Sequence, residues 1–219
     1  DLHFNGSDTL TVLSTDSAAA TESDSVAITV NAVNDEEVLA TNAGTTVTEG
    51  STGTVITAAM LSTTDVENSA SQVTYTLDGV TSNGLLRLGG TALVLNDTFT
   101  QADIDAGNLT YDHSGSQTSA DAFDFTVDDG AGTATSATFN IGVTNVNDVP
   151  VNTVPGAQSV DEDTSLAITG ISVADDDDNL STVQLSVANG SLNVTLSGSA
   201  SVSAGANDSN NLTLSGTLA

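Results

Sequence analysis

The sequence predicts an all-β chain built as β-sandwiches in tandem, and three observations carry that prediction. Apolar residues alternate with polar ones at period two, turn dipeptides interrupt them at short intervals, and the whole pattern recurs along the chain in one fixed register. The repeat register is the strongest of the three. "VNAVND" ends at Asp35 and "VTNVND" ends at Asp148, an offset of 113. Without a gap the same offset carries Asp8 to Asp121, Leu10 to Phe123, Val12 to Phe125, Asp16 to Asp129, Val26 to Phe139, Ile28 to Ile141 and Val30 to Val143. It then carries Val38 to Val151, Val47 to Val160 and Glu49 to Glu162. Small gaps enter beyond that point, so "VTYTL" from Val73 matches "VQLSV" from Val183 at an offset of 110, and Asn83-Gly84 matches Asn189-Gly190 at 106.

The elements follow from local pattern. "AFDFTV" from Ala122 puts Phe123, Phe125 and Val127 on one face, and "ATFNIGV" from Ala137 does the same with Phe139, Ile141 and Val143, which is the signature of half-buried strands. Abundant Thr and Val favour that conformation. Asn83-Gly84, Gly89-Gly90 and Asp129-Gly130 supply turns. "FTQADIDAG" is the exception. Thr100 is placed to cap a helix and Asp103 stands at its third position, so one helical turn is expected over Gln101–Asp105, ended by Gly107.

A repeat unit of this length matches one immunoglobulin-like sandwich, for which roughly 100 residues is typical. Residues 36–148 are therefore expected to form one complete repeat. Residues 1–35 are expected to be the C-terminal part of the repeat before it, and residues 149–219 the N-terminal part of the one after. The chain reads as a window on a longer array. The alternative is that split repeats complete one another between like chains in a fibre.

Composition narrows function. Twenty-nine acidic residues against one basic one give a net charge of −28, and Arg87 is the sole Lys or Arg. Nucleic acid, which is bound through clusters of such cations, is excluded, and an anionic membrane surface with it. No apolar run approaches the roughly 18–20 residues of a bilayer span, and nothing at Asp1 resembles a signal peptide. No cysteine is present, which removes disulfides, thiolate metal sites and thiol nucleophiles. A chain of such one-signed charge repels itself, and bound cation is the simplest remedy. Clustered carboxylates select a hard divalent ion, Ca²⁺ in particular, and millimolar calcium is found outside the cell.

The acids collect at junctions, in repeat register. Asp35 and Asp148 close the linkers, Glu49 and Glu162 follow each by 14, and Asp16 and Asp129 precede each by 19. Asp65 and Glu67 in "TTDVEN" have the run Asp175 to Asp178 as counterpart, with Asp175 and Asp177 as the candidates in it. Calcium takes six to eight oxygens, and loops at one end of a sandwich supply them together. These ten residues are the predicted metal ligands. An EF-hand is not among the candidates, because "DDDDNLSTVQLS" lacks Gly at its sixth position and Glu at its twelfth.

The stretch Gly84 to Gly130, "GLLRLGGTALVLNDTFTQADIDAGNLTYDHSGSQTSADAFDFTVDDG", resembles the chondroitin-sulfate-proteoglycan (NG2-type) repeat, a cadherin-like fold, most specifically in its "FTQ-DI-G-L-Y-H" core. The flanking "VNDVP" and "SVDEDTSLAITGISVADDDD" resemble the tandem cadherin-like repeats of very large bacterial surface adhesins. The resemblance implies cadherin-like sandwiches in an elongated array, forming an extracellular stalk that calcium stiffens. Its partners would be the neighbouring repeats. Cadherin linkers carry "DxNDN" followed by "DxD", whereas this chain has "VND" and, at Asp65 and Glu67, "D-x-E".

No catalysis is expected. His113 lies in the "YDHSG" turn, where a hydrogen bond to backbone accounts for it, and Arg87 is read as a paired surface cation or an inter-repeat ion pair. A glycan-recognition surface would have only Tyr75 and Tyr111 for its aromatic platform.

Overall fold

The computed structural model describes residues 3–216, which form two compact units divided between Asn145 and Val146. Strands dominate both, as the period-two pattern predicts. The first unit opens with a long hairpin of β1 (Gly6–Thr15) and β2 (Thr21–Val30), paired antiparallel from Gly6 opposite Val30 to Thr15 opposite Thr21. Asp16 fixes its turn, accepting the N–H groups of Ala18 and Ala20 on one carboxylate oxygen. Leu10, Val12, Val26 and Ile28 line one face of the hairpin and are exposed, Leu10 to 54%.

A sandwich follows. Its strands are β3 (Val38–Asn42), β4 (Thr45–Thr48), β5 (Thr54–Val55), β6 (Leu61–Thr64), β7 (Thr74–Gly79), β8 (Gly84–Leu88), β9 (Thr91–Ala92) and β10 (Thr98–Thr100). After the short helix α1 (Gln101–Asp105) come β11 (Leu109–His113), β12 (Ala120–Asp128) and β13 (Thr135–Thr144). One sheet has the order β10-β7-β12-β13-β4, a second β5-β11-β8-β9, and β3 pairs with β6. Within the first sheet β4 runs parallel to β13, with Val47 opposite Val143. β4 thus finds its partner only at the last strand of the sandwich.

One core joins the sheets. Phe123, Phe125, Phe139, Phe99, Tyr75 and Tyr111 are its largest side chains, all essentially inaccessible to solvent. Tyr75 stacks on Phe99 with ring centres 4.9 Å apart, and Phe123 on Phe139 at 5.1 Å. With few aromatics in the chain, these rings concentrate the burial energy at the centre and leave Val, Leu and Ile to fill around them.

The "FTQAD" motif is explained by this core. Phe99 enters it, Thr100 caps α1 in a reciprocal capping box with Asp103, and Gln101 turns inward. The Tyr75 hydroxyl lies 2.7 Å from Gln101 Oε1 and 2.8 Å from Thr63 Oγ1, while the Thr63 N–H donates to the same Gln101 oxygen. Burial pushes the Tyr75 hydroxyl up to about 12, so it remains a donor. At Asn83-Gly84 the glycine is required by a close approach: a Cβ there would collide with the Asp112 carbonyl and the Tyr111 hydroxyl.

The second unit carries β14 (Val151–Thr153), β15 (Ser172–Ala174), β16 (Val183–Ser186), β17 (Ser201–Gly205) and β18 (Asn211–Ser215). β14 pairs with β15, and β16-β18-β17 form a small sheet around the buried Leu212. No helix among the described residues is long and apolar enough to cross a membrane.

The same hairpin therefore occurs twice, once dressed and once bare. Leu10 lies opposite Val26 as Phe123 lies opposite Phe139, in identical register. Replacing Phe125 by Ala removes a fully buried ring and should cost about 3–5 kcal/mol in urea unfolding. Leu10→Ala, at an exposed position, should change stability by no more than about 0.5 kcal/mol.

Candidate metal centre at the linker

The linker after β2 meets the turns after β6 and β12 in a concentration of carboxylates. Glu37, Asp128 and Asp129 each place a carboxylate oxygen within 4.8 Å of the others. Glu37 is 5% exposed, and neither of its carboxylate oxygens has a hydrogen-bond partner. Asp129 is as deeply buried. Its Oδ1 accepts the Ala131 N–H and its Oδ2 the side-chain amide of Asn34, and these bonds, in that order, hold the carboxyl below the usual carboxylate range. Asp65 spends Oδ1 on the N–H groups of Glu67 and Asn68, leaving a buried Oδ2 with no hydrogen-bond partner. The Asn68 amide donates to the Asp129 carbonyl and ties the two turns together.

Of the predicted ligands, Asp35, Asp65, Glu67 and Asp129 come together here. The Asp35 N–H donates to Glu67 Oε2 at 3.1 Å, so the linker is hydrogen-bonded to the turn after β6 through one of the candidate carboxylates. In the second unit the same arrangement recurs. The Asp148 N–H donates to Asp177 Oδ2 at 2.5 Å, and the Asp177 N–H donates to Asp175 Oδ1 at 3.1 Å. Asp175 is buried with an Oδ2 that has no hydrogen-bond partner, as Asp65 is. Asn34 and Asn147 each donate a side-chain amide to the carbonyl of the following Asp. The geometry thus pairs Asp65 with Asp175 and Glu67 with Asp177.

Three predicted ligands lie elsewhere. Asp16 closes the exposed β1–β2 turn and already accepts two backbone N–H groups there. Glu49 follows β4 and donates its N–H to Thr144, at the end of the sandwich where β13 leaves. Glu162 is exposed in a segment without strands. Glu37, Asp128 and His3 were not predicted. His3 Nδ1 stands 2.6 Å from Asp35 Oδ2.

The remaining polar residues are structural. His113 is buried, its Nδ1 accepts the N–H groups of Gly50 and Gly115, and its Nε2 lies 3.2 Å from Thr118 Oγ1. Arg87 Nε donates to Asp112 Oδ2 at 2.6 Å, so its partner lies within the sandwich, across the β8–β11 pair. Tyr75 and Tyr111 are both fully buried, which removes the aromatic platform a glycan-binding reading needs. The Tyr111 hydroxyl instead donates to Asp121 Oδ2 at 2.7 Å.

Residues 38–143, just under half of the chain, match the family model described as Cadherin-like. Among known proteins, "FRAS1-related extracellular matrix protein 1" of Homo sapiens is 36% identical over 93 residues, 42% of this chain and 4% of that protein. "Extracellular matrix organizing protein FRAS1" of Homo sapiens is 35% identical over 105 residues, 47% of this chain and 3% of that protein. The matched segment is a small fraction of either relative's length. Among solved structures, the protocadherin gamma B2 extracellular cadherin domains 1–5 align over 96% of this chain and 38% of that one, at 14% identity and a TM-score of 0.46. The protocadherin gammaB7 EC3-6 cis-dimer aligns over 98% and 51%, at 14% and 0.41. An extracellular location agrees with the family-model match and with the two extracellular matrix relatives.

Asp112 gives a pH test of the sandwich. The Gly53 N–H, first, and Arg87, second, hold its carboxyl below the ordinary value. A depressed carboxylate stabilises the fold above its unfolded pKa of about 4 and loses that contribution as pH falls through the folded value. The difference in melting temperature between the wild type and Asp112→Asn should therefore be constant from pH 7 to about 5 and shrink below about pH 4.

Proposed function

We propose that the chain is a non-catalytic spacer of an extracellular adhesion or matrix protein, in which calcium held at carboxylate-lined linkers braces successive cadherin-like repeats. One observation carries this reading. Glu37 is buried beside Asp128 and Asp129 with two carboxylate oxygens that lack hydrogen-bond partners. Burying a carboxylate without compensation costs several kcal/mol, and here like charges add to that cost. A hard divalent cation offsets both. The donor set is all oxygen, as calcium requires: carboxylates of Glu37, Asp65, Asp128 and Asp129, with backbone carbonyls and water to complete six to eight ligands.

The mechanical consequence follows from chain order. Glu37 lies in the linker between β2 and β3, while Asp65 follows β6, Asp128 ends β12 and Asp129 follows it. An ion shared among them fastens the linker to the sandwich and limits the angle at which the preceding hairpin leaves it. Repeated along an array, this sets the reach and stiffness of a stalk. The repeat register supports a giant repetitive carrier, the resemblance to bacterial adhesin arrays supports a cell-surface one, and the two human relatives support matrix attachment. In the second linker Val149 and Pro150 stand where the repeat would place Glu36 and Glu37, so the junction after Asp148 has two carboxylates fewer.

A second reading, split repeats completing one another between copies, is favoured by the two hairpins. The face of β12–β13 that is buried under the sandwich is exposed in β1–β2, and Val47, buried in β4, corresponds to the half-exposed Val160. Light scattering decides it. A mass that rises with concentration in the wild type, but not in Ile28→Asp, establishes complementation; a constant mass removes it.

For the calcium reading, the decisive variant is Glu37→Gln, which deletes a buried charge. In chelator it should melt above the wild type, because the repulsion is relieved. In millimolar calcium the order should reverse, with the wild type raised by at least about 5 °C and the variant by much less. No calcium-dependent shift in the wild type, or equal shifts in both proteins, would contradict the reading.

A further inference from the structure

Beside the all-carboxylate cradle lies a second cluster of different chemistry. His3, Asp35 and Glu67 place Nδ1 and two carboxylate oxygens within 4.8 Å of one another. They open into a cavity of about 270 Å³ that is also lined by Phe4, Asn5 and Val33. We propose that these three residues form a separate site for a borderline divalent transition metal, with zinc as its reference occupant, that clasps the preceding hairpin to the complete repeat.

The donor set is the first argument. Calcium is held by oxygen alone, whereas an imidazole with two carboxylates is the ligand set of zinc and its first-row neighbours. His3 is one of two histidines in the chain. The other, His113, is buried with both ring nitrogens engaged. A metal that prefers imidazole therefore has one place to go.

The second argument is convergence. His3 precedes β1, Asp35 lies in the linker after β2, and Glu67 lies in the turn after β6. Three segments far apart in sequence each contribute one ligand atom to one concavity. His3 Nδ1 is already 2.6 Å from Asp35 Oδ2, and the Asp35 N–H already holds Glu67 Oε2. The backbone bond orients the two carboxylate-bearing residues before any ion arrives. Metal–ligand distances of about 2.0–2.2 Å require the ring to exchange its contact with Asp35 for the ion and the side chains to close modestly. Three protein ligands leave at least one position to water, and two carboxylates neutralise the ion.

This site does not depend on calcium binding at Glu37, and its test separates the two. The full chain is titrated with zinc alone, in buffer containing saturating calcium, by calorimetry and by the ¹⁵N resonances of the histidine rings. The expected result is one zinc per chain, a selective shift of the His3 Nδ1 resonance, and binding weakened at least about tenfold in His3→Gln. Because His3 lies outside the core, that variant should keep the wild-type melting temperature in chelator. Glu37→Gln should bind zinc normally. Zinc binding that calcium abolishes, that leaves the His3 ring unshifted, or that survives His3→Gln unchanged would overturn the proposal, leaving the 2.6 Å contact as an ion pair.

Discussion

Unbalanced negative charge is the constraint on which the structure turns. Twenty-nine carboxylates face one guanidinium, and that guanidinium is already paired with Asp112. Most of the acids avoid the problem by facing solvent or by accepting backbone N–H groups, as Asp16, Asp103 and Asp121 do. Those at the linker do so incompletely: Asp65 and Asp129 each accept backbone N–H groups, whereas Glu37 has no hydrogen-bond partner for either oxygen. Glu37 and Asp129 are buried together, and Asp65 adds an oxygen without a hydrogen bond, so the folded state concentrates charge where it is most costly. In the proposed reading a cation offsets this charge, and the linker is where it would change the mechanics of the chain.

The sandwich supplies the rigid frame for this arrangement with few resources. Its aromatic residues are nearly all spent in one core, where Tyr75 and Gln101 knit α1 to β6 and β7. The turns carrying Asp65 and Asp128–Asp129 lie at the ends of strands fixed by that core. The ligand positions are thus set by packing and strand register, and the Asn68 side chain fastens one turn to the other. Rigidity of this kind lets a bound ion transmit force instead of merely neutralising charge.

Much of the fold was legible in the sequence, and the reasons are local. Period-two alternation located β12 and β13 to within two residues, because each is buried on one face only. The helix over Gln101–Asp105 was legible from Thr100 and Asp103, whose reciprocal bonds form the cap. The parallel pairing of β4 with β13 was not, since it joins the two ends of a repeat and leaves no local mark. The candidate site was legible only where its carboxylates repeat. Asp35, Asp65, Glu67 and Asp129 were found through their counterparts, but Glu37 corresponds to Pro150, Asp128 to Thr15 and His3 to Ser116. Residues unique to one junction are invisible to a reading based on periodicity. The signal that could have found Glu37 is the uninterrupted "NDEE" at the linker, where acid follows acid next to a domain edge.

The most direct test of the central claim is an anomalous-difference map from crystals of this chain grown with calcium. The account predicts a peak bounded by carboxylate oxygens of Glu37, Asp65, Asp128 and Asp129. An empty cradle at saturating calcium, with the Glu37 carboxylate hydrogen-bonded to protein or water instead, would contradict it.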